Sequence, residues 1–154
     1  MRWQYRDPAL VWLFVPAYLC HLAEEFFGGF PAWIGAVIGR PLPPAGFIAI
    51  NAVALVLMIA AIRAAIRRES HGWMAIAVAA LLFLNAVAHL LGSLATASYS
   101  PGLITGTVIY FPLGATALIR AWDQAPEQQF WRGVGVGALA NVAAFVSAAA
   151  IAGA

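Results

Sequence analysis

Five long apolar segments constrain what this chain can fold into. They run over residues 8–28, 45–66, 73–95, 102–121 and 134–154. Each has about the 20 apolar residues that a membrane-crossing helix needs. Hydrophobic residues make up 64% of the chain and charged residues 9%, against about 25% charged in soluble proteins. The sequence therefore predicts an all-α, polytopic transmembrane helix bundle.

The bundle is expected to form a single transmembrane domain over residues 1–154 with five spans. The last segment is rich in Ala and Gly, so a bundle of four spans is the alternative. Gly133 and Gly137 of that segment are four residues apart, a spacing that suits close packing of helices in a membrane.

The few charges exclude one class of partner and indicate an orientation. All eight basic residues are Arg, and they form no basic cluster of the kind that binds nucleic acid. With five spans, one side of the membrane holds Arg2, Arg6, Arg63, Arg67, Arg68, Arg120 and Arg132. The other side holds only Arg40. Because cytoplasmic loops carry an excess of basic residues, the N-terminus is predicted inside and the C-terminus outside.

The longest loop covers residues 29–44, on the predicted outer side. Its large apolar residues have helical spacing: Phe30, Trp33, Ile34, Val37 and Ile38. This pattern predicts a short helix lying at the membrane interface. Three prolines, Pro41, Pro43 and Pro44, should end it.

Ionisable residues inside the apolar segments mark a candidate functional site. The first segment contains His21, Glu24 and Glu25, and the third contains Asn85 and His89. A carboxylate at the centre of a membrane helix costs about 2.5–3.5 kcal/mol on insertion scales, so such residues are candidates for function. The predicted topology places both groups at a similar depth, in the outer half of the bundle.

These residue types suit a divalent metal. His21 and Glu25 are four residues apart and share one helix face. Imidazole nitrogens and carboxylate oxygens bind zinc or iron, so His21, Glu25 and His89 are the predicted ligands. Glu24 and Glu25 are the predicted catalytic residues, acting on water as a general base. The competing interpretation is a metal-free Glu–His pair that only fixes helix packing.

Other polar residues fall near the same depth and are predicted to contact the metal ligands or a substrate. They are Tyr18, Asn51, Asn85, Thr105 and Tyr110. An apolar cavity lined by Phe14, Tyr18, Leu82 and Tyr110 is expected to continue inward from the polar cluster, with room for an elongated substrate.

Three short motifs resemble a known family. They are residues 21–25 (HLAEE), 85–89 (NAVAH) and 101–105 (PGLIT). In this order and spacing, they resemble the HXXEE-motif membrane proteins of bacteria. The resemblance implies a multi-pass protein of the bacterial inner membrane. It singles out the motif residues, but it supplies no reaction, because no function is established for the family.

Three kinds of function fit these features. The first is an intramembrane enzyme that hydrolyses, isomerises or cyclises a lipid or isoprenoid-type substrate with one divalent metal. The second is a metal-free acid–base isomerase or cyclase, in which a buried Glu is the proton donor. The third is a non-enzymatic binder or transporter of a small ligand or ion. The sequence leaves a homo-oligomer open.

The predicted orientation can be tested with reporter fusions. Fusions within residues 67–71 and 123–130 should report the cytoplasm, because the Arg-rich loops are retained there. A fusion next to Arg40 should report the outer side. The opposite pattern would overturn both the orientation and the outer position of the polar cluster.

Overall fold

The computed structural model describes residues 6–153, and Arg2 lies outside them. All regular structure in this range is helical. The α-helices are α1 (Pro8–Val11), α2 (Phe14–Phe27), α3 (Phe30–Ile38), α4 (Pro44–Arg67), α5 (Trp73–Thr96), α6 (Leu103–Thr105), α7 (Phe111–Gln124) and α8 (Glu127–Gly153). A 3₁₀ turn, Glu69–His71, precedes α5, and a π-helical turn, Gly106–Tyr110, joins α6 to α7.

Five helical segments are long and apolar enough to cross a membrane, as predicted. They are Pro8–Phe27, Pro44–Arg67, Glu69–Thr96, Leu103–Gln124 and Glu127–Gly153. The chain is therefore a multi-pass membrane protein with an all-α fold. The last helix begins at Glu127 and not at the predicted residue 134. The prediction followed apolar residues only, and the first turn of this helix is polar.

Helix α5 is the centre of the bundle. It contacts α2, α4, α7 and α8. Its buried side chains join those of α2, α4 and α7 in one apolar core, which includes Phe14, Met58, Ile62, Leu82 and Tyr110. The faces of α4 and α8 turned away from α5 expose large apolar residues: Val53, Val56, Leu57, Leu139, Val142, Phe145 and Val146. Such faces are suited to lipid, which needs no polar partner.

The first span is broken near its start by a proline. Helix α1 ends at Val11 and α2 begins at Phe14. Pro16 has no N–H to donate to Trp12, and its ring crowds the carbonyl four residues earlier. At the break between the two helices, the Trp12 carbonyl accepts instead from the N–H of Val15 at 3.3 Å.

The predicted short helix is present as α3, and it covers one end of the bundle. Gly29 and Gly39 flank it, both with positive φ (83° and 78°), a conformation that glycine adopts without steric cost. The indole of Trp33 lies against Gly92 of α5, where an added Cβ would be 2.9 Å from the ring. Its Nε1–H donates to the Ser98 hydroxyl at 3.1 Å. We call this end of the bundle the α3 end.

Close packing joins α8 to α5 at the two glycines that the sequence singled out. A Cβ at Gly133 would lie 2.6 Å from Ile76 Cβ, and one at Gly137 would lie 2.5 Å from the Ala77 carbonyl oxygen. Gly135, between them, faces open space. Only the first two positions therefore require the absence of a side chain.

This difference predicts a matched pair of variants. Gly137→Ala should lower the free energy of unfolding by about 1–3 kcal/mol, because the extra methyl group overpacks the α5–α8 contact. Gly135→Ala should be neutral or stabilising by up to about 1 kcal/mol, since Ala is the better helix former. Unfolding of the purified protein in detergent measures both. Equal effects at the two positions would contradict the packing argument.

Candidate functional site

Three side chains with possible metal-ligand atoms, from two helices, meet at the α3 end. Glu25 Oε1 lies 3.6 Å from His21 Nε2 and 3.2 Å from His89 Nε2. One donor atom from each residue lies within 4.8 Å of the other two. All three residues are buried, with 3%, 7% and 4% of the surface of His21, Glu25 and His89 exposed. We call these residues the triad.

The helices explain how the triad assembles. His21 and Glu25 are one turn apart on α2, so both side chains point to the same side. His89 lies in the second half of α5, which packs against α2. The contact between α2 and α5 therefore brings the three residues together.

Both imidazoles are oriented by hydroxyl groups. His21 Nδ1 lies 2.8 Å from Thr105 Oγ1, and His89 Nδ1 lies 2.9 Å from Ser100 Oγ. Each Nε2 is thereby directed at Glu25. His21 Nε2 is buried and has no hydrogen-bond partner among the described residues. Hydrogen bonds that orient the far nitrogen of a ligating histidine are usual in metal sites.

Glu24, the other glutamate of α2, has different partners. Glu24 Oε1 accepts hydrogen bonds from the backbone N–H groups of Gly102 at 3.0 Å and Ile104 at 2.9 Å. Its Oε2 accepts from the N–H of Thr105 at 2.6 Å. The Tyr99 hydroxyl also donates to Oε1. Glu24 therefore ties the segment of residues 99–105, which we call the anchored loop, to the last turn of α2.

The Tyr99 hydroxyl is a reliable donor in this arrangement. Tyr99 lies outside the spans. Desolvation, followed by the hydrogen bond and the negative charge of Glu24, raises the pKa of Tyr99 to about 12. The hydroxyl therefore stays protonated at neutral pH.

At Gly102 the backbone of the anchored loop lies against both imidazoles of the triad. This residue has φ of +106°, and a Cβ there would lie 2.5 Å from His89 Cε1 and 2.9 Å from His21 Cε1. A side chain would therefore overlap both imidazoles. The loop needs glycine for its backbone conformation and for its contact with the histidines.

Aromatic rings close two further sides of the site. Tyr110 stacks on His21, with ring centroids 4.2 Å apart, and Phe30 of α3 lies 5.6 Å from the His89 ring. Tyr110 ends the π-helical turn. Pro112 explains that turn, because it cannot donate to the carbonyl of Val108. Turns of this kind occur frequently at functional sites.

The three motifs thus lie in one place, and a comparison with protein families agrees with them. The family model described as "Protein of unknown function with HXXEE motif" matches residues 12–117. The chain belongs to the HXXEE family. No curated protein and no solved structure matches it. In this HXXEE protein, the His and the second Glu of the motif belong to the triad, and the first Glu binds the anchored loop.

The predicted surrounding residues divide into two groups. Thr105 and Tyr110 contact His21 directly, by a hydrogen bond and by ring stacking. Tyr18 and Asn51 instead bond to each other, with the Tyr18 hydroxyl donating to Asn51 Oδ1 at 2.6 Å. Asn85 Oδ1 is buried and has no hydrogen-bond partner among residues 6–153.

The predicted cavity and the predicted catalytic role of Glu24 stay predictions. Phe14, Tyr18, Leu82 and Tyr110 all belong to the apolar core beside the triad. The hydroxyl of Tyr110 is buried and without a hydrogen-bond partner in the described part of the HXXEE chain. Glu24 has the loop contacts described above, and none of these partners is a histidine.

Sequence reasoning missed Ser100 and Tyr99. Ser100 is fully buried and orients His89, while Tyr99 binds Glu24. Both directly precede the Pro101–Gly102 pair, so their position in a loop between two spans was visible. Nothing in their spacing showed that the loop folds back onto α2.

The triad could hold a metal ion. Within residues 6–153 it is the one group of three or more His, Cys, Asp or Glu residues with donor atoms close enough for this. Two imidazole nitrogens and one carboxylate oxygen are a ligand set of zinc enzymes, with the remaining position open.

The Gly102 geometry predicts another matched pair. Gly29→Ala places a side chain at positive φ in open space, so it should cost about 1–2 kcal/mol of unfolding free energy. Gly102→Ala should cost a further 1–3 kcal/mol or so, because its methyl group also displaces the imidazoles. Denaturation in detergent compares them. An equal loss in both variants would mean that the anchored loop is not pressed against the histidines.

Proposed function

We propose that this HXXEE protein is an intramembrane enzyme that acts on a lipid or isoprenoid-type substrate with one divalent metal ion, zinc or iron. His21, Glu25 and His89 hold the ion. The observation that carries the proposal is the convergence of three buried residues with possible metal-ligand atoms. The Nδ1 atom of each histidine is also bonded to a hydroxyl group. We place the protein in the bacterial inner membrane, with the N-terminus inside, on the distribution of arginines.

The spacing of the donor atoms favours a metal over a simple ion pair. Tetrahedral zinc with bonds of about 2.0–2.2 Å separates its ligand atoms by about 3.4 Å. The two distances to Glu25 Oε1, 3.2 Å and 3.6 Å, lie on either side of this value, and the ligand atoms of the two histidines lie within 4.8 Å of each other. A charge-assisted N–H···O hydrogen bond would be shorter, about 2.7–2.9 Å. The unpartnered His21 Nε2 also supports an ion between the three residues.

The number of ligands favours catalysis over a structural role. Structural zinc sites have four protein ligands, whereas catalytic sites have three and an open position. Two buried polar atoms without partners, Tyr110 Oη and Asn85 Oδ1, are available for a substrate. Tyr110 is placed by its stacking on His21, and Asn85 is one turn from His89. An unsatisfied buried polar group is costly, and a bound polar group would remove that cost.

The chemistry follows from these positions. A divalent ion there supplies Lewis acidity, which polarises a carbonyl or phosphoryl oxygen and makes water nucleophilic. His21 and His89 orient this centre, and Glu25 lowers its net charge. Tyr110 can donate its hydroxyl proton to a substrate oxygen. The enclosing rings of Tyr110 and Phe30 exclude bulk water.

The surroundings favour an apolar substrate. The triad lies within the spans, between an apolar core and the lipid-facing surfaces of the bundle. A substrate that dissolves in the membrane reaches such a site without leaving the hydrocarbon phase, and its polar group would meet the triad. This fits the cleavage, isomerisation or cyclisation of a lipid or isoprenoid.

One observation favours a second candidate, a metal-free acid–base isomerase or cyclase. Glu25 and His89 are 3.2 Å apart, so they can share a proton directly. In that case Glu25 would be the proton donor to the substrate.

Metal analysis separates the two candidates. Protein purified in mild detergent should contain about one zinc or iron ion per chain, and a chelator should lower its unfolding temperature, because a ligand bound only to the folded state stabilises it. His21→Ala, His89→Ala and Glu25→Gln should each lose the ion.

His71→Ala is the matched control, since His71 lies in the 3₁₀ turn at the opposite end of α5. It should keep the ion. A folded wild-type protein that binds neither metal when supplied with it would rule out the metal enzyme and leave the acid–base candidate.

A further inference from the structure

We propose that Glu24 is a positioning residue that sets the orientation of His21 by holding Thr105 in place. The inference rests on the proposed function, because it assigns the carboxylate next to a metal ligand a supporting task. It replaces the catalytic role that the sequence suggested for Glu24.

The hydrogen bonds of Glu24 leave it little capacity for chemistry. A carboxylate offers about four lone-pair sites. Four donors approach it: the Tyr99 hydroxyl and the N–H groups of Gly102, Ile104 and Thr105. A water molecule or substrate would have to displace one of them. Glu24 is therefore saturated by the chain itself.

Thr105 passes this constraint on to His21. Glu24 Oε2 accepts from the N–H of Thr105 at 2.6 Å, which fixes the position of Thr105. Thr105 Oγ1 in turn lies 2.8 Å from His21 Nδ1. With Nδ1 bonded to this hydroxyl, His21 Nε2 faces Glu25.

The anchored loop extends the effect to His89. Ser100 contacts His89 Nδ1. It lies between Tyr99 and Gly102, which both donate hydrogen bonds to Glu24. Gly102 lies against both imidazole rings. Releasing the loop from Glu24 would therefore loosen the support of both histidines. Partners that orient metal ligands typically contribute 10–100-fold in affinity.

The test measures metal affinity in detergent by competition with a chelator, using Co²⁺ as a spectroscopic probe. Glu24→Gln should weaken binding about 10–100-fold and change the visible spectrum of bound Co²⁺, because the carboxamide nitrogen cannot accept from the N–H groups that hold the anchored loop in place. Full occupancy should still be reached at high Co²⁺ concentration.

Two further variants isolate the hydroxyl. Thr105→Val should weaken binding over the same range, since it keeps the N–H contact to Glu24 but loses the bridge to His21. Thr105→Ser should restore near wild-type affinity. Glu69→Gln is the matched control for loss of one negative charge, because Glu69 is an exposed residue that pairs with Arg6 at 2.7 Å. It should bind as the wild type does.

Several results would overturn the inference. Wild-type affinity in Glu24→Gln, or in Thr105→Val, would show that Glu24 does not position His21 through Thr105. Loss of metal from Glu24→Gln even at saturation, as expected for Glu25→Gln, would make Glu24 a ligand.

A separate readout distinguishes failure of the proposed function. If the wild type binds no metal, the metal enzyme is ruled out, and the imidazole ¹⁵N resonances decide the inference. A change of the His21 resonances in Glu24→Gln but not in Glu69→Gln would support positioning by Glu24, and unchanged resonances would overturn it.

Discussion

The presence of two adjacent carboxylates in the first span, Glu25 buried and Glu24 half-buried, is the constraint on which this site depends. Each carboxylate needs donors or a cation, because a carboxylate left unpaired in hydrocarbon is costly. The chain satisfies the two in different ways. Glu24 accepts from the anchored loop, while Glu25 faces two imidazoles. Successive residues of a helix point about 100° apart, so neighbouring glutamates reach different partners.

The anchored loop connects these two solutions. It brings backbone N–H groups to Glu24 and hydroxyl groups to His21 and His89. Its close approach is possible because Gly102 has no side chain. The two glutamates of the motif therefore belong to one site. Glu24 holds the anchored loop, and Glu25 lies between the two histidines that the loop contacts.

The sequence allowed the fold to be predicted well and the site only in part. Apolar length alone predicted the five spans, and helical spacing predicted α3 and the pairing of His21 with Glu25. Ser100 and Tyr99 could not be found this way, since their roles depend on the path of a loop, which has no period. The different tasks of Glu24 and Glu25 also required the structure, because spacing placed both near the histidines.

Close helix packing and the candidate site lie at different positions along α5. At one end, Gly133 and Gly137 let α8 approach α5 closely. At the α3 end, His89 joins α5 to α2 and to the anchored loop. Lipid gives little hydrophobic drive for helices to associate, so packing and interhelical polar contacts must specify the bundle. The polar site consequently contributes to the fold as well as to the proposed chemistry. A variant at the site must be judged on metal affinity as well as stability, because a loss of stability alone cannot separate the two contributions.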